Sequence, residues 1–200
     1  MSKMRPRRYI LLRLLLAALI IMAATAGAVY YRAYRAMVAA RQYVSDVSRL
    51  QIGISGGYEF AKIRDKYRGF AEIDPNCNDN DCIVVFRFSN GLPVGASFVR
   101  PAFLYSGLTL SNGSITSSII DSGCYGRNGG SFVAHMWESL PNAAHDVPFR
   151  DGGTMSSDKV ATISFNLTPA ASPEQRARAY AFHEGFLGRF EACNDATDMH

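Results

Sequence analysis

The run YILLRLLLAALIIMAATAGAVYY, residues 9–31, carries a single charge, Arg13, in 23 positions. As a helix it would be about 34 Å long, enough to cross a hydrocarbon core of roughly 30 Å. Its uninterrupted part, residues 14–31, is close to the lower limit for a span. Arg13 lies one turn inside, where its stem can snorkel toward the headgroups, and Tyr30, Tyr31 and Arg32 close the other end as an interfacial belt with a charged stop.

Before the run stands a basic leader, residues 1–8, with Arg5, Arg7 and Arg8. Basic residues crowd both flanks but the leader is denser, so the positive-inside rule predicts a cytoplasmic N-terminus and an exported C-terminal bulk, periplasmic or extracellular. A cleavable signal peptide is the rival reading. Residues 24–26 and 26–28 are small enough for an A-x-A site, with cleavage after Ala26 or Ala28. Apolar character continues past both sites, which favours a retained anchor, and either reading exports the same domain.

After the run, Ala33, Met37, Ala40, Val44 and Val47 alternate in steps of four and three, one stripe on a helix. Residues 32–50 therefore read as an amphipathic stalk helix continuous with the anchor. Its stripe can pack on its own domain or pair with a second copy, and fewer than three heptads make poor coiled-coil material.

Residues 51–200 form the exported domain, long enough to bury a sizeable core. A short helix is expected over 58–67 behind a Ser55 cap. Strands are expected at 82–88, with Val84, Phe86 and Phe88 on one face, then at 103–110, 114–120, 131–140 and 159–167. Asn112-Gly113 tolerates the positive φ values of a tight type I′ turn. Ser172-Pro-Glu-Gln175 is a capping box with proline at the first helical position, opening a last helix whose stripe includes Ala179 and His183. Segments 122–130 and 141–158 read as loops. The expectation is an α+β fold: a transmembrane helix running into the stalk, then an antiparallel sheet of about four or five strands packed by a C-terminal helix.

The charge agrees with this division. The chain has a formal net charge of +4, yet its first 41 residues hold eight basic side chains and no acidic one. The remainder carries thirteen basic against seventeen acidic residues, a net of −4. The basic excess thus belongs to the anchor and stalk, where it meets the lipid bilayer, and no nucleic-acid partner is expected.

Four cysteines in an exported chain imply disulfides. The polar loop between Cys77 and Cys82 lets that pair meet, leaving Cys124 for Cys193; the other two connectivities remain open. Asp74 to Asp81 resembles a calcium loop only in its oxygen-rich spacing, since the turn glycine and the twelfth-position glutamate are missing. No metal or cofactor is expected. Imidazole chemistry rests on His135, which shares a strand face with Val133 and Trp137, on His145 beside Asp146, and on His183. No motif joins them to a nucleophile or to each other.

Two stretches, CNDNDCIVVFRFSN (77–90) and LTPAASPEQRARAYAFHEGFLGRFEACNDA (167–196), resemble a family of uncharacterised, membrane-anchored exported bacterial proteins. In that family a cysteine pair precedes an apolar strand ending in Asn, and a capped final helix leads to a cysteine followed by Asp-Ala. This chain departs from it at Phe186, where the family often has a further cysteine. The resemblance implies no activity and carries over no catalytic residue. The general plan is also similar to that of type IV pilins and pseudopilins, but Arg8 stands where those need glycine and Arg13 where they need glutamate.

The function these features predict is a single-pass, membrane-anchored exported protein serving as a non-catalytic envelope module that binds or supports an envelope protein or ligand. An envelope hydrolase or metal-dependent enzyme using His135, His145 or His183, and a pilin-like assembly subunit, are the alternatives. The sequence sets no oligomeric state.

Overall fold

A computed structural model describes residues 6–89, 102–125, 131–140, 149–157 and 160–188. One unbroken helix, α1 (Pro6–Val47), carries both the apolar run and the segment read as a stalk. Its two halves differ in what they touch. An 18-residue window near its start has a mean hydropathy of 2.3 and no burial. From Ala33 onward the helix dives into the domain, and Ala33, Met37, Ala40, Val44 and Val47 are all buried, joined by Ala36 and Tyr43. Of the two options for the stripe, packing on its own domain is the one adopted. Burial begins two residues after Tyr31, so the second half of α1 is a core element and not a free stalk.

After α1, a short helix α2 (Gly57–Lys66) and a 3-10 turn at Arg68–Phe70 lead into the sheet. Gly56 occupies the N-cap of α2, and the Glu59 carboxylate accepts its N–H at 3.0 Å. Ser55 caps nothing there: its hydroxyl accepts the Gln51 N–H, closing the preceding turn.

Seven strands follow: β1 (Ala71–Ile73), β2 (Cys82–Ser89), β3 (Ala102–Ser111), β4 (Ser114–Tyr125), β5 (Ser131–Ser139), β6 (Phe149–Ser157) and β7 (Val160–Leu167), in the order β1-β2-β3-β4-β5-β7-β6. The α+β class is as expected, with more strands than the four or five counted from sequence. All neighbours are antiparallel except β5 and β7, which run parallel because the chain passes from β5 to the outer position of β6 before returning as β7 between them. Two segments read as loops are partly strand. β4 extends through 122–125 because it is paired along its length with both β3 and β5. β6 forms within 141–158 despite Gly152-Gly153, its ladder to β7 shifting register between Gly152 and Met155. An edge strand tolerates such residues when one neighbour supplies the pairing.

The turn between β3 and β4 is as predicted, with Asn112 at φ 51° and Gly113 at φ 75°. The last helix, α3 (Pro173–Gly188), opens on the predicted box: the Gln175 N–H donates to the Ser172 hydroxyl at 3.3 Å, and the Ser172 N–H donates to the Gln175 side-chain oxygen at 2.8 Å.

The core lies between one sheet face and the pair α1 and α3. Val84, Phe86 and Phe88 of β2 are fully buried there, as are Leu104 and Leu108 of β3, Ile120 of β4 and Met136 of β5. Each such side chain contributes about 1.5–3 kcal/mol of transfer free energy. Tyr43 of α1 is the hub. Its ring lies 4.7 Å from Phe86, 5.3 Å from Phe88 and 5.2 Å from Tyr67, and its hydroxyl meets the Ser106 hydroxyl at 2.7 Å.

Candidate functional site

Three clusters of polar groups among the described side chains lie at a loop, a groove or an open sheet face. The first is the disulfide loop. Cys77 and Cys82 are bonded, as the spacing suggested. Inside the loop the oxygens are used at home: Asp74 accepts the Asn76 N–H, Asn78 accepts those of Asn80 and Asp81, and Asp81 accepts the Asn112 N–H from the β3–β4 turn. Among the described residues no group of acidic, histidine or cysteine side chains is placed to hold a metal ion. Cys124 falls in β4, but its side chain and the whole of Cys193 lie outside the described residues, as do His145 and the side chain of His183.

The second place is a groove of about 620 Å³ where α1 ends and α3 begins, walled by Leu50, Ile52, Ile54 and Pro169 and crossed by Arg176. Glu138, on the core face of β5, is fully buried. Its carboxylate pairs with the Arg176 guanidinium and accepts the Tyr180 hydroxyl at 3.0 Å. Arg176 also donates to the backbone carbonyls of Ser48 and Leu50, at 3.3 and 2.8 Å. Burial pushes the Tyr180 phenol up to about 12, so it stays a donor throughout the physiological range. Arg176 is thus spent on fastening α3 to β5 and to the end of α1. The groove floor is a structural clamp.

The third place is the sheet face opposite the helices, which no described helix covers. Strand alternation sends every second residue there, and the registers line these residues up across the strands. Arg87 faces Tyr105, Tyr105 faces Asp121, Asp121 faces His135 and His135 faces Ser164, one row over five strands. A parallel row runs Glu72, Val85, Gly107, Ile119, Trp137, Asn166. The Asp121 carboxylate is bonded to His135 Nδ1, and Arg87 pairs with Glu72 at 2.8 Å. The hydrogen bond to Asp121 holds His135 above the usual imidazole range, against a smaller opposing effect of partial burial. Trp137 is 47% exposed and Tyr105 43%, large fractions for aromatic rings. Phe103 lies 5.1 Å from Tyr105, ring to ring.

His135 therefore stands where the alternation of β5 put it, beside Val133 and Trp137, and it has a carboxylate partner. Nothing in the sequence marks that partner, Tyr105 or Arg87, and Ser164 reads only as outward on its strand. Asp121 sat one residue beyond the strand read there, and only cross-strand register, which is non-local, sets it opposite His135. Neither the α1–α3 groove nor the disulfide loop reaches this pair.

No protein-family model, no curated protein and no solved structure matches this chain.

Proposed function

We propose that this protein is a membrane-anchored, exported module whose role is recognition at the open sheet face, without catalysis. The observation that carries the reading is the division of α1. Residues 9–31 project a wholly exposed apolar surface while the same helix, from Ala33, is built into the domain core. Ten Leu, Ile and Val residues in that run favour lipid insertion by on the order of 3–6 kcal/mol in sum. Water is a poor solvent for such a surface, and a bilayer is the natural cover. A disulfide at Cys77–Cys82 fits an oxidising compartment beyond the membrane.

The enzyme alternative draws support from the Asp121–His135 pair, with Ser164 in register as a hydroxyl neighbour. It is the weaker reading because the pair lies on an open face, where water competes for every developing charge. Pilin-like assembly is weaker too, since Arg13 would put a charge in the part of α1 that must pack among other copies.

The test is topology. In intact cells the full chain is expected to resist extraction at high pH, to be digested by protease from outside the membrane, and to keep its N-terminal leader on sequencing. A soluble mature chain starting at Gly27 or Val29 would overturn the anchor while leaving export in place.

A further inference from the structure

We propose that the open sheet face binds an uncharged polysaccharide, the glycan chain of the cell envelope, laid across the strands. The proposal rests on the reading of this chain as an exported recognition module.

The shape is the first argument. The face spans six strands without a covering helix among the described residues, roughly 24 Å at the usual strand spacing. An enclosed pocket suits a small molecule; an open track suits a polymer that enters and leaves at both ends. Within the track Gly107 leaves bare backbone beside Tyr105, and a Cβ placed there would meet nothing within 4 Å. Trp137 and Tyr105 stand about 12 Å apart, by strand and residue spacings, the reach of a few sugar rings, with Ile119 and Asp121 of β4 between them and the dimple beside Tyr105.

Charge supplies the second argument. At the centre of this face the described charges are paired, Arg87 with Glu72 and Asp121 with His135, and the register sets one further cation, Arg150, at the edge strand opposite Asn166. The centre of the face, between Tyr105 and Trp137, thus holds no unpaired described charge to attract nucleic acid, a phosphate or an anionic lipid headgroup. An uncharged ligand is its complement.

Chemistry chooses between the uncharged candidates. A pyranose ring has an apolar C–H face and a rim of hydroxyls, which calls for exposed aromatic rings flanked by planar groups that donate and accept in pairs. Trp137 and Tyr105 supply the rings; Asp121, His135, Arg87 and Asn166 supply the planar groups. A protein partner would have to bury the Asp121–His135 pair at the middle of the contact, where interfaces are depleted of charge and desolvation is costly. A hydrated glycan leaves that pair wet.

Trp137 is the single tryptophan of the chain, so its emission reports this face alone. The full chain in nanodiscs, titrated with a hexamer of β-1,4-linked N-acetylglucosamine, is expected to show a saturable blue shift, and to co-sediment with isolated cell-wall glycan. Tyr105→Ala should weaken binding at least tenfold. Gly107→Val, which fills the dimple without disturbing a packed neighbour, should do the same with the unliganded emission unchanged. A wild-type chain that shows neither the shift nor co-sedimentation overturns the proposal, as does binding unaffected by both substitutions. A photo-crosslinking residue at position 117 on the same face, used in living cells, separates the two levels of the argument. Crosslinks to glycan support the proposal; crosslinks to a protein overturn it and leave the recognition module standing. No crosslink to either overturns both.

Discussion

His135 and Asp121 show how far one contact reaches. Their side chains are each 36% exposed, so the pair adds no more than about 1 kcal/mol to stability. Its value is electrostatic definition of the open face. Because the folded pKa of His135 is raised, the stabilisation is complete below the ordinary histidine value of about 6.5 and is lost as pH climbs through the folded value. An NMR titration should find His135 titrating above that ordinary value, with Asp121→Asn bringing it back down; an unchanged midpoint in the variant would show that the carboxylate is not the cause. Asp46 runs the other way. Burial pushes its carboxyl up, but hydrogen bonds from Lys66 and Tyr67, at 2.6 and 2.8 Å, outweigh that and hold it below the usual range. Its contribution is present above the ordinary carboxylate pKa and fades as pH falls through the depressed one.

Between elements, the strongest constraint is the Arg176–Glu138 clamp. Alternation along Ala134, Met136 and Glu138 put an acid on the core side of β5, a signal in plain view, yet its cation comes from α3 nearly forty residues later. Removing one partner strands a buried charge. Arg176→Ala is expected to cost about 3–5 kcal/mol in chemical denaturation, and pairing it with Glu138→Met to recover most of the loss. A single-mutant loss below 1 kcal/mol would place the pair in solvent. Elements with local signals were legible: the Asn112-Gly113 turn, the Ser172 capping box, and β2 with its three inward aromatic and aliphatic residues. β6 was hidden because Gly152-Gly153 and its polar neighbours have no strand preference of their own. Tyr43 lies outside the apolar spacing of α1, and only the aromatic cage of Tyr67, Phe86 and Phe88 makes its burial necessary.

For the whole molecule, α1 joins a wholly exposed apolar half and a buried half in one rod. Shortened to begin at Ala33, the chain should remain a folded domain, since the buried stripe is kept and only the apolar run is lost. Begun at Ser48, it would lose Met37, Ala40, Tyr43, Val44 and Val47 from the centre of the core and should not fold. Circular dichroism and thermal melts of the two truncations check this, and a stable domain from the shorter piece would show that α1 is an accessory to the sheet. The same geometry sets the domain immediately against the end of the apolar run. Its helix layer is spent on α1 and α3, and among the described residues no helix covers the opposite sheet face.

By itself the sequence determined the elements whose causes are local: the apolar run and its basic leader, the Ser172 capping box, the tight turn, the alternating strands, the disulfide loop and the α+β class. Tertiary structure alone decided that the second half of α1 is core, that β5 and β7 run parallel, that Arg176 answers Glu138, and that Asp121 faces His135. The physical reason is the range of the interaction. Periodicity, capping and turn preference act over a few neighbours, whereas register and burial depend on residues that meet only after the chain has closed.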